Sequence, residues 1–261
     1  MKLIVLTILL LLSINLPTLA TTENVDSVDI LRPLFKKDST SIYKKPYNFR
    51  LRQLILPTVL IALGTFGTGN DWMEYQNKAI REELQENIDK KLTIDDFSQY
   101  APMASVYALN LCGVKGLHNF RDRTIILGTA YALMMVTVTA TKNIIKIRRP
   151  DNSSNNSFPS GHTATAFLGA EFLWHEYYHV SKWIGFTGYI VAAGTGFLRM
   201  YNNRHWITDV VAGAGVGILS AKAAYWLYPF VNKKIFGKNT HTSMIPIVSP
   251  QQKGLYCSIT F

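Results

Sequence analysis

Three short stretches of this sequence carry the residue types from which phosphate chemistry is made: KNIIKIRRP at 142–150, PSGH at 159–162 and RMYNNRHWITD at 199–209. His205 and Asp209 stand four residues apart. On a helix they share a face, so the carboxylate holds one imidazole nitrogen and leaves the other for attack. An imidazole held in this way has a fixed tautomer and a raised nucleophilicity toward phosphorus. Arg199, six residues before His205, brings a guanidinium able to clamp the same phosphate. Lys142 supplies a mobile positive charge and Arg149 a planar pair of donors. In PSGH, Ser160 is placed to cap a helix that begins near Gly161, whose N–H can receive a phosphate oxygen at the helix start. His162 can protonate a departing oxygen near neutral pH. Each stretch also has a plain structural reading: a basic collar against lipid headgroups, a helix cap, a buried His and Asp pair. Lys146 and Arg148 fit the collar, and Pro150 ends the helix and opens the polar turn DNSSNNS.

The elements that must position these residues read as helices in lipid. Hydrophobic residues make up 48% of the chain, and after residue 100 they gather into long apolar runs separated by short polar or basic connections. Spans are expected at about 101–117, 124–141, 162–178, 183–198 and 207–228, the third carrying Glu171, which a buried bundle tolerates only with a partner. Lys115, Arg121 and Arg123 follow the first span, Lys182 follows the third, and Lys233 and Lys234 follow the last. All these connections fall on one face, cytoplasmic by the positive-inside tendency, so the loops at 142–161 and 199–206 share the outward face.

Four regions are expected along the chain. Residues 1–20 form a signal peptide or signal anchor, with Lys2, an apolar run over 3–12 and a small-x-small end at Ala20. Residues 21–100 form an extracytoplasmic and interfacial segment. Within it, 53–69 is apolar but holds Pro57, Gly64, Gly67 and Gly69 and is read as not crossing completely. The charged stretch 71–99, with Ala79, Leu84 and Ile88 on one side, is read as an amphipathic helix in water or along the membrane surface. Residues 101–228 form the membrane core that carries all three stretches, and 229–261 a polar tail, partly disordered.

The net charge of +10 would attract many phosphorylated partners, but the aromatic residues lie within apolar runs and no nucleic-acid module is visible. Cys112 and Cys257 have no metal-ligand spacing, and Cys112 reads as packing material in an apolar stretch.

In order and spacing the three stretches resemble the type 2 phosphatidic acid phosphatase superfamily. Its signature is Lys, six residues, Arg-Pro; then Pro-Ser-Gly-His; then Arg, five residues, His, three residues, Asp. Lys142, Arg149 and Pro150, then Pro159 to His162, then Arg199, His205 and Asp209 match it, and the resemblance covers roughly 101–228. Leu198 stands where many members carry serine. The resemblance implies an all-α, polytopic membrane helix bundle with the active site at one membrane face. It implies hydrolysis of a phosphomonoester or pyrophosphate on a membrane lipid through a phosphohistidine. His205 is then the nucleophile, Asp209 orients it, and His162 serves as acid and then base. Lys142, Arg149, Ser160, the Gly161 N–H and Arg199 bind the phosphate.

No metal or other cofactor is expected, since positive side chains fill the electrostatic role and no carboxylate-rich ligand set is apparent. The candidate substrates are phosphatidate, phosphatidylglycerophosphate, undecaprenyl pyrophosphate and lipid A phosphate. The expected partners are that lipid and the bilayer, with no nucleic acid and no obligate protein. The expected location is a bacterial inner membrane with a periplasm-facing site. A soluble acid phosphatase or a vanadate-dependent haloperoxidase would share these residues, but their helices should be amphipathic rather than apolar over successive spans. A non-enzymatic membrane anion-binding protein would not need the oriented His205 and Asp209 pair.

Overall fold

Eight helices and one hairpin make up the described part of the computed structural model, which covers residues 50–86, 92–236, 241–248 and 253–260. The signal-like residues 1–20, the stretch up to residue 49 and Ile88 lie outside the described residues. In chain order the helices are α1 Arg52–Phe66, α2 Asp71–Gln85, α3 Asp95–Ser98, α4 Ala101–Leu111, α5 Phe120–Ile145, α6 Gly161–Tyr177, α7 Lys182–Tyr201 and α8 Ile207–Phe236.

The long helices start where the sequence supplies a cap. The Asn119 side chain accepts the Asp122 N–H at 2.8 Å at the head of α5, with Asp122 in its first turn and Lys142 in its last, as the helix dipole favours. Lys146, at φ 45°, turns the chain off the end of that helix. Ser160 caps α6, which passes through the middle of the molecule with most of its residues buried.

The bundle closes by close backbone approach at small residues. A Cβ on Gly213 of α8 would lie 2.6 Å from the Ser160 carbonyl oxygen, so only glycine lets α8 meet the start of α6 there. A Cβ on Gly215 would lie 2.7 Å from the Pro57 carbonyl oxygen on α1. Around these seams Ile126, Met134, Leu168, Phe172, Val216 and Tyr225 fill the core.

Among the described residues two helices, α5 and the Ile207–Lys234 part of α8, are long and apolar enough to cross a membrane. The outer surface is apolar as well, with Val136, Ile144, Trp183, Ile190 and Phe230 exposed. An apolar exterior around a bundle that also buries polar groups suits lipid as the solvent, and the protein is an integral membrane helix bundle. The expected span at 101–117 is shorter: α4 ends at Leu111, where Cys112 and the left-handed Gly113 turn the chain. Cys112 is exposed rather than packed.

Glu171 has the partners its burial requires. It pairs with Lys222 and the Tyr189 hydroxyl, and with His175 at 2.9 Å. Glu176 binds the His118 imidazole at 2.7 Å and the Tyr225 hydroxyl at 2.9 Å. Arg121 donates to Asn232 at 3.1 Å. These bonds gather the 118–123 turn, the end of α6 and the end of α8 at one end of the bundle, while the loops at 142–161 and 199–206 meet at the other.

Two regions gain packing partners that their sequence reading did not supply, and the tail departs from its reading. The glycines of 53–69 serve as a packing surface: α1 runs along α8, and a Cβ on Gly64 would meet the Ala212 Cβ at 2.6 Å. The charged segment after it docks over the site loop through polar groups. Asn77 lies on Thr208 at 3.2 Å, Arg81 Nε donates to Asn203 at 2.9 Å, and Gln85 donates to the Tyr201 carbonyl at 3.0 Å. Leu84 shares this inward face with Ile80, beside the site loop. In the tail, α8 runs on to Phe236 and is followed by an antiparallel hairpin, β1 His241–Val248 with β2 Lys253–Thr260, in register Met244 opposite Cys257. The β-branched and apolar residues of MIPIV suit such a strand, and Pro246 is tolerated because a two-stranded sheet consists of edges.

Candidate active site

His205 sits in the short loop between α7 and α8, and Asp209 in the first turn of α8. The imidazole is 4% exposed and the carboxylate fully buried. His205 Nδ1 lies 3.3 Å from Asp209 Oδ2, the same oxygen that accepts the Ser157 hydroxyl at 2.5 Å and the Trp206 N–H at 2.9 Å. An ionised carboxylate only accepts, so Nδ1 carries the proton and Nε2 is the nitrogen with the lone pair. Nε2 makes no hydrogen bond among the described residues. Burial, reinforced by the charges of Lys142 and Arg199 and opposed by Asp209, pushes the His205 pKa down to about 4. The ring is therefore neutral, with a lone pair, throughout the physiological range.

The three motifs are tied to one another by backbone as well as side chains. The Ser160 N–H donates to the Asp209 carbonyl at 3.0 Å, joining PSGH to the start of α8. Trp206 Nε1 donates to the Arg148 carbonyl at 2.9 Å, joining the His205 loop to the basic stretch. Lys142 Nζ donates to the Asn156 carbonyl and, at 3.3 Å, to that of Ser157, while Arg149 Nε donates to Asn156 Oδ1 at 3.0 Å. Arg204, beside His205, pairs with Asp151 at 3.0 Å. The polar turn after Pro150 thus works as the frame that aims Lys142 and Arg149. Lys146 and Arg148 are exposed, whereas Lys142 and Arg149 are half-buried, which separates the collar residues from the site residues. Burial, then the neighbouring guanidiniums of Arg199 and Arg204, lower the Arg149 pKa. Cations crowded in this way make a ready receptor for an anion with several charges.

Ser160 is fully buried, and its hydroxyl accepts the Thr163 N–H at 3.4 Å and the Thr163 hydroxyl at 2.9 Å. Its visible work is the cap. That cap fixes the orientation of Gly161 and His162, the first residues of α6. A small cavity on one side of His205 is lined by Asn77, Ile80, Arg81, Leu84, Asn203 and Trp206, so α2 forms one wall of that cavity.

The eight expected site positions lie on loops and helix ends at one end of the bundle, and four residues that sequence reasoning missed hold them there. Ser157 was read as part of a polar turn. Asn202 donates to the Leu92 carbonyl at 2.6 Å and to Asp95 Oδ1 at 3.0 Å. Asp95 pairs with Arg199 at 2.5 Å, and Asp96 Oδ1 lies 2.9 Å from His162 Nε2. The two acids come from 104 and 66 residues away in sequence from their partners, on the four-residue helix α3. An adjacent pair of acids in a charged segment is ordinarily a solvated surface, and spacing offers no signal for contacts at that range.

Residues 123–233 match the PAP2 superfamily. The lipid A 1-phosphatase of Porphyromonas gingivalis is 39% identical over 147 residues, 56% of this chain and 33% of that protein. The bacitracin transport permease protein BcrC of Bacillus licheniformis is 33% identical over 79 residues, 30% of this chain and 37% of that protein. The chain thus spans about a third of the length of these curated relatives. Among solved structures, the transmembrane PAP2-type phosphatidylglycerolphosphate phosphatase of Bacillus subtilis aligns with a TM-score of 0.49 at 20% identity, over 71% of this chain and 98% of that one. The stretch that matches the PAP2 superfamily, residues 123–233, holds all three motifs.

Proposed function

We propose that this protein removes phosphate from a membrane lipid by way of a phosphohistidine on His205. The observation that carries the reading is the buried His205 held through Nδ1 by Asp209, with Nε2 turned from that carboxylate, at the one end of an apolar bundle where Lys142, Arg149 and Arg199 also converge. Nε2 attacks phosphorus as the bond to the leaving oxygen breaks, and His162 passes a proton to that oxygen. Water then attacks the phosphohistidine, giving its proton to His162, and the P–N electron pair returns to His205. Lys142, Arg149, Arg199 and the N–H groups at the head of α6 hold the phosphoryl oxygens as charge moves among them. Asp209 keeps the tautomer and balances the positive charge that His205 gains.

A site at the end of a membrane bundle receives a headgroup phosphate while the acyl chains stay in lipid. The kinship with a protein named lipid A 1-phosphatase supports lipid A phosphate as the first substrate to try, ahead of phosphatidate, phosphatidylglycerophosphate and undecaprenyl pyrophosphate. The positive charges of the 115–123, 182 and 233–234 connections support a periplasm-facing site in a bacterial inner membrane. The test is phosphate release by purified protein in detergent from each of the four lipids. Release from lipid A phosphate, abolished in His205→Ala, is expected. A panel in which no lipid loses phosphate in a His205-dependent way would overturn the reading.

A further inference from the structure

Asp96 lies outside the three motifs and outside the stretch that matches the family, yet it reaches into the site. Its approach is built by its neighbours. Asp95 is buried against Arg199 and Asn202, the Leu92 N–H donates to Asn202 Oδ1 at 2.9 Å, and the Ser98 hydroxyl meets that of Thr195 at 2.8 Å. These contacts clamp α3 onto the last two turns of α7. Of the two acids, Asp95 takes the arginine, while Asp96 lies 3.8 Å from it and 2.9 Å from His162 Nε2. Both members of the second pair stay accessible, with the His162 side chain 30% and the Asp96 side chain 57% exposed, unlike the sealed His205 and Asp209 pair.

We propose that Asp96 is the positioning residue for His162, making a second carboxylate–imidazole dyad that sets the acid–base half of the reaction. The inference rests on the phosphatase reading above. Nε2–H is donated to the carboxylate in both protonation states, which leaves Nδ1 as the nitrogen that exchanges its proton with the leaving oxygen and later with water. Burial and then the Arg199 guanidinium lower the His162 pKa, and the negative Asp96 opposes both, favouring the cation with both nitrogens protonated that the first step uses. After transfer the imidazole is neutral, still bonded through Nε2, and ready to take the proton of the attacking water at Nδ1. The two dyads thereby place their histidines in opposite roles. His205 is buried among cations and neutral, and His162 is open to solvent and paired with an anion. The charged groups that bear on His162 are Arg199 of α7 and Asp95 and Asp96 of α3, and Asp95 is already committed to Arg199.

Asp96→Asn keeps an acceptor for Nε2–H and removes the charge. It should lower kcat on an alkyl-phosphate lipid about 10–100-fold at pH 8, the loss expected for an outer partner of a catalytic imidazole, and the deficit should shrink as the pH falls and His162 gains its proton without help from the carboxylate. With p-nitrophenyl phosphate, whose leaving group needs little protonation, the deficit should be several-fold smaller. Asp96→Glu should restore most of the rate, and in a His162→Gln background Asp96→Asn should cost nothing further. An NMR titration of the full chain in detergent reads the same dyad without turnover: the His162 resonance, identified by its loss in His162→Gln, should titrate at lower pH in Asp96→Asn. A deficit equal at every pH and for both leaving groups, or an unmoved His162 titration, would overturn the dyad. Wild-type protein that releases no phosphate would instead sink the phosphatase reading, while the titration would still decide whether the dyad exists.

Discussion

At the residue scale the site divides into a buried half, which holds the proposed nucleophile His205, and an open half, which holds the proposed acid–base residue His162. With its pKa pushed down to about 4, His205 needs no deprotonation at neutral pH to act as the proposed nucleophile. His205→Ala should therefore lower kcat by at least about 10³-fold, as expected when a nucleophile is removed, and no change of pH should recover it. Asp209→Asn should cost about 10²–10⁴-fold by releasing the tautomer, with lipid binding retained in a vesicle-binding assay. Ser157 bonds that carboxylate from outside the motifs, so Ser157→Ala should cost about 10-fold in kcat with little effect on KM. The same burial links His205 to stability. Its folded pKa lies below the unfolded value of 6.5, so the unfolded chain binds the extra proton between pH 6.5 and about 4, and stability falls as pH drops through that window. Thermal unfolding in detergent at pH 7 and pH 4.5 should show this acid destabilisation, reduced in His205→Gln.

At the element scale the site is held by helix starts and seams. The cap at Ser160, the Ser160 to Asp209 backbone bond and the Gly213 contact act at one point, where α6 begins beside the first turn of α8. Gly213→Val puts side-chain atoms where the Ser160 carbonyl sits, so the two motifs must move apart. Activity should be lost along with about 1–3 kcal/mol of stability, the usual cost of overpacking. The charged segment after residue 70 shows why an element's partner is hard to read from composition. Its helix is amphipathic as its pattern says, but the face that docks carries Asn77, Arg81 and Gln85, which pair with loop groups rather than with water. A helix of mixed polarity has many faces that satisfy it, and only the 201–208 loop selects this one.

At the scale of the whole molecule, the apolar outside and the two polar ends define a bundle that stands in lipid with its chemistry at one end. Tyr75 on α2 and Asn155 in the loop before PSGH are exposed at the site end, and Lys233 near the end of α8 is exposed at the other. In a chain with Cys112 and Cys257 replaced by serine, Tyr75→Cys and Asn155→Cys should react with an impermeant thiol reagent added from outside. Lys233→Cys should react only after the membrane is opened. The reverse labelling pattern would place the site in the cytoplasm.

The sequence by itself pointed to the proposed chemistry and determined the class of fold. Lys142, Arg149, His162, Arg199, His205 and Asp209 have types and spacings suited to holding and transferring a phosphoryl group, and the four-residue spacing is enough to pair His205, in the loop before α8, with Asp209 in its first turn. Long apolar runs announce helices in lipid because no other backbone form satisfies its hydrogen bonds there. The tertiary structure decided what short-range pattern cannot reach: that Ser157 bonds Asp209, that the glycines near residue 64 are a seam, that a hairpin follows α8, and that Asp95 and Asp96 meet Arg199 and His162. Each of these depends on which surfaces come together after the helices pack. Polar residues such as Asp96 gain their partners only then, whereas the His205 and Asp209 pair is carried within a single turn of chain.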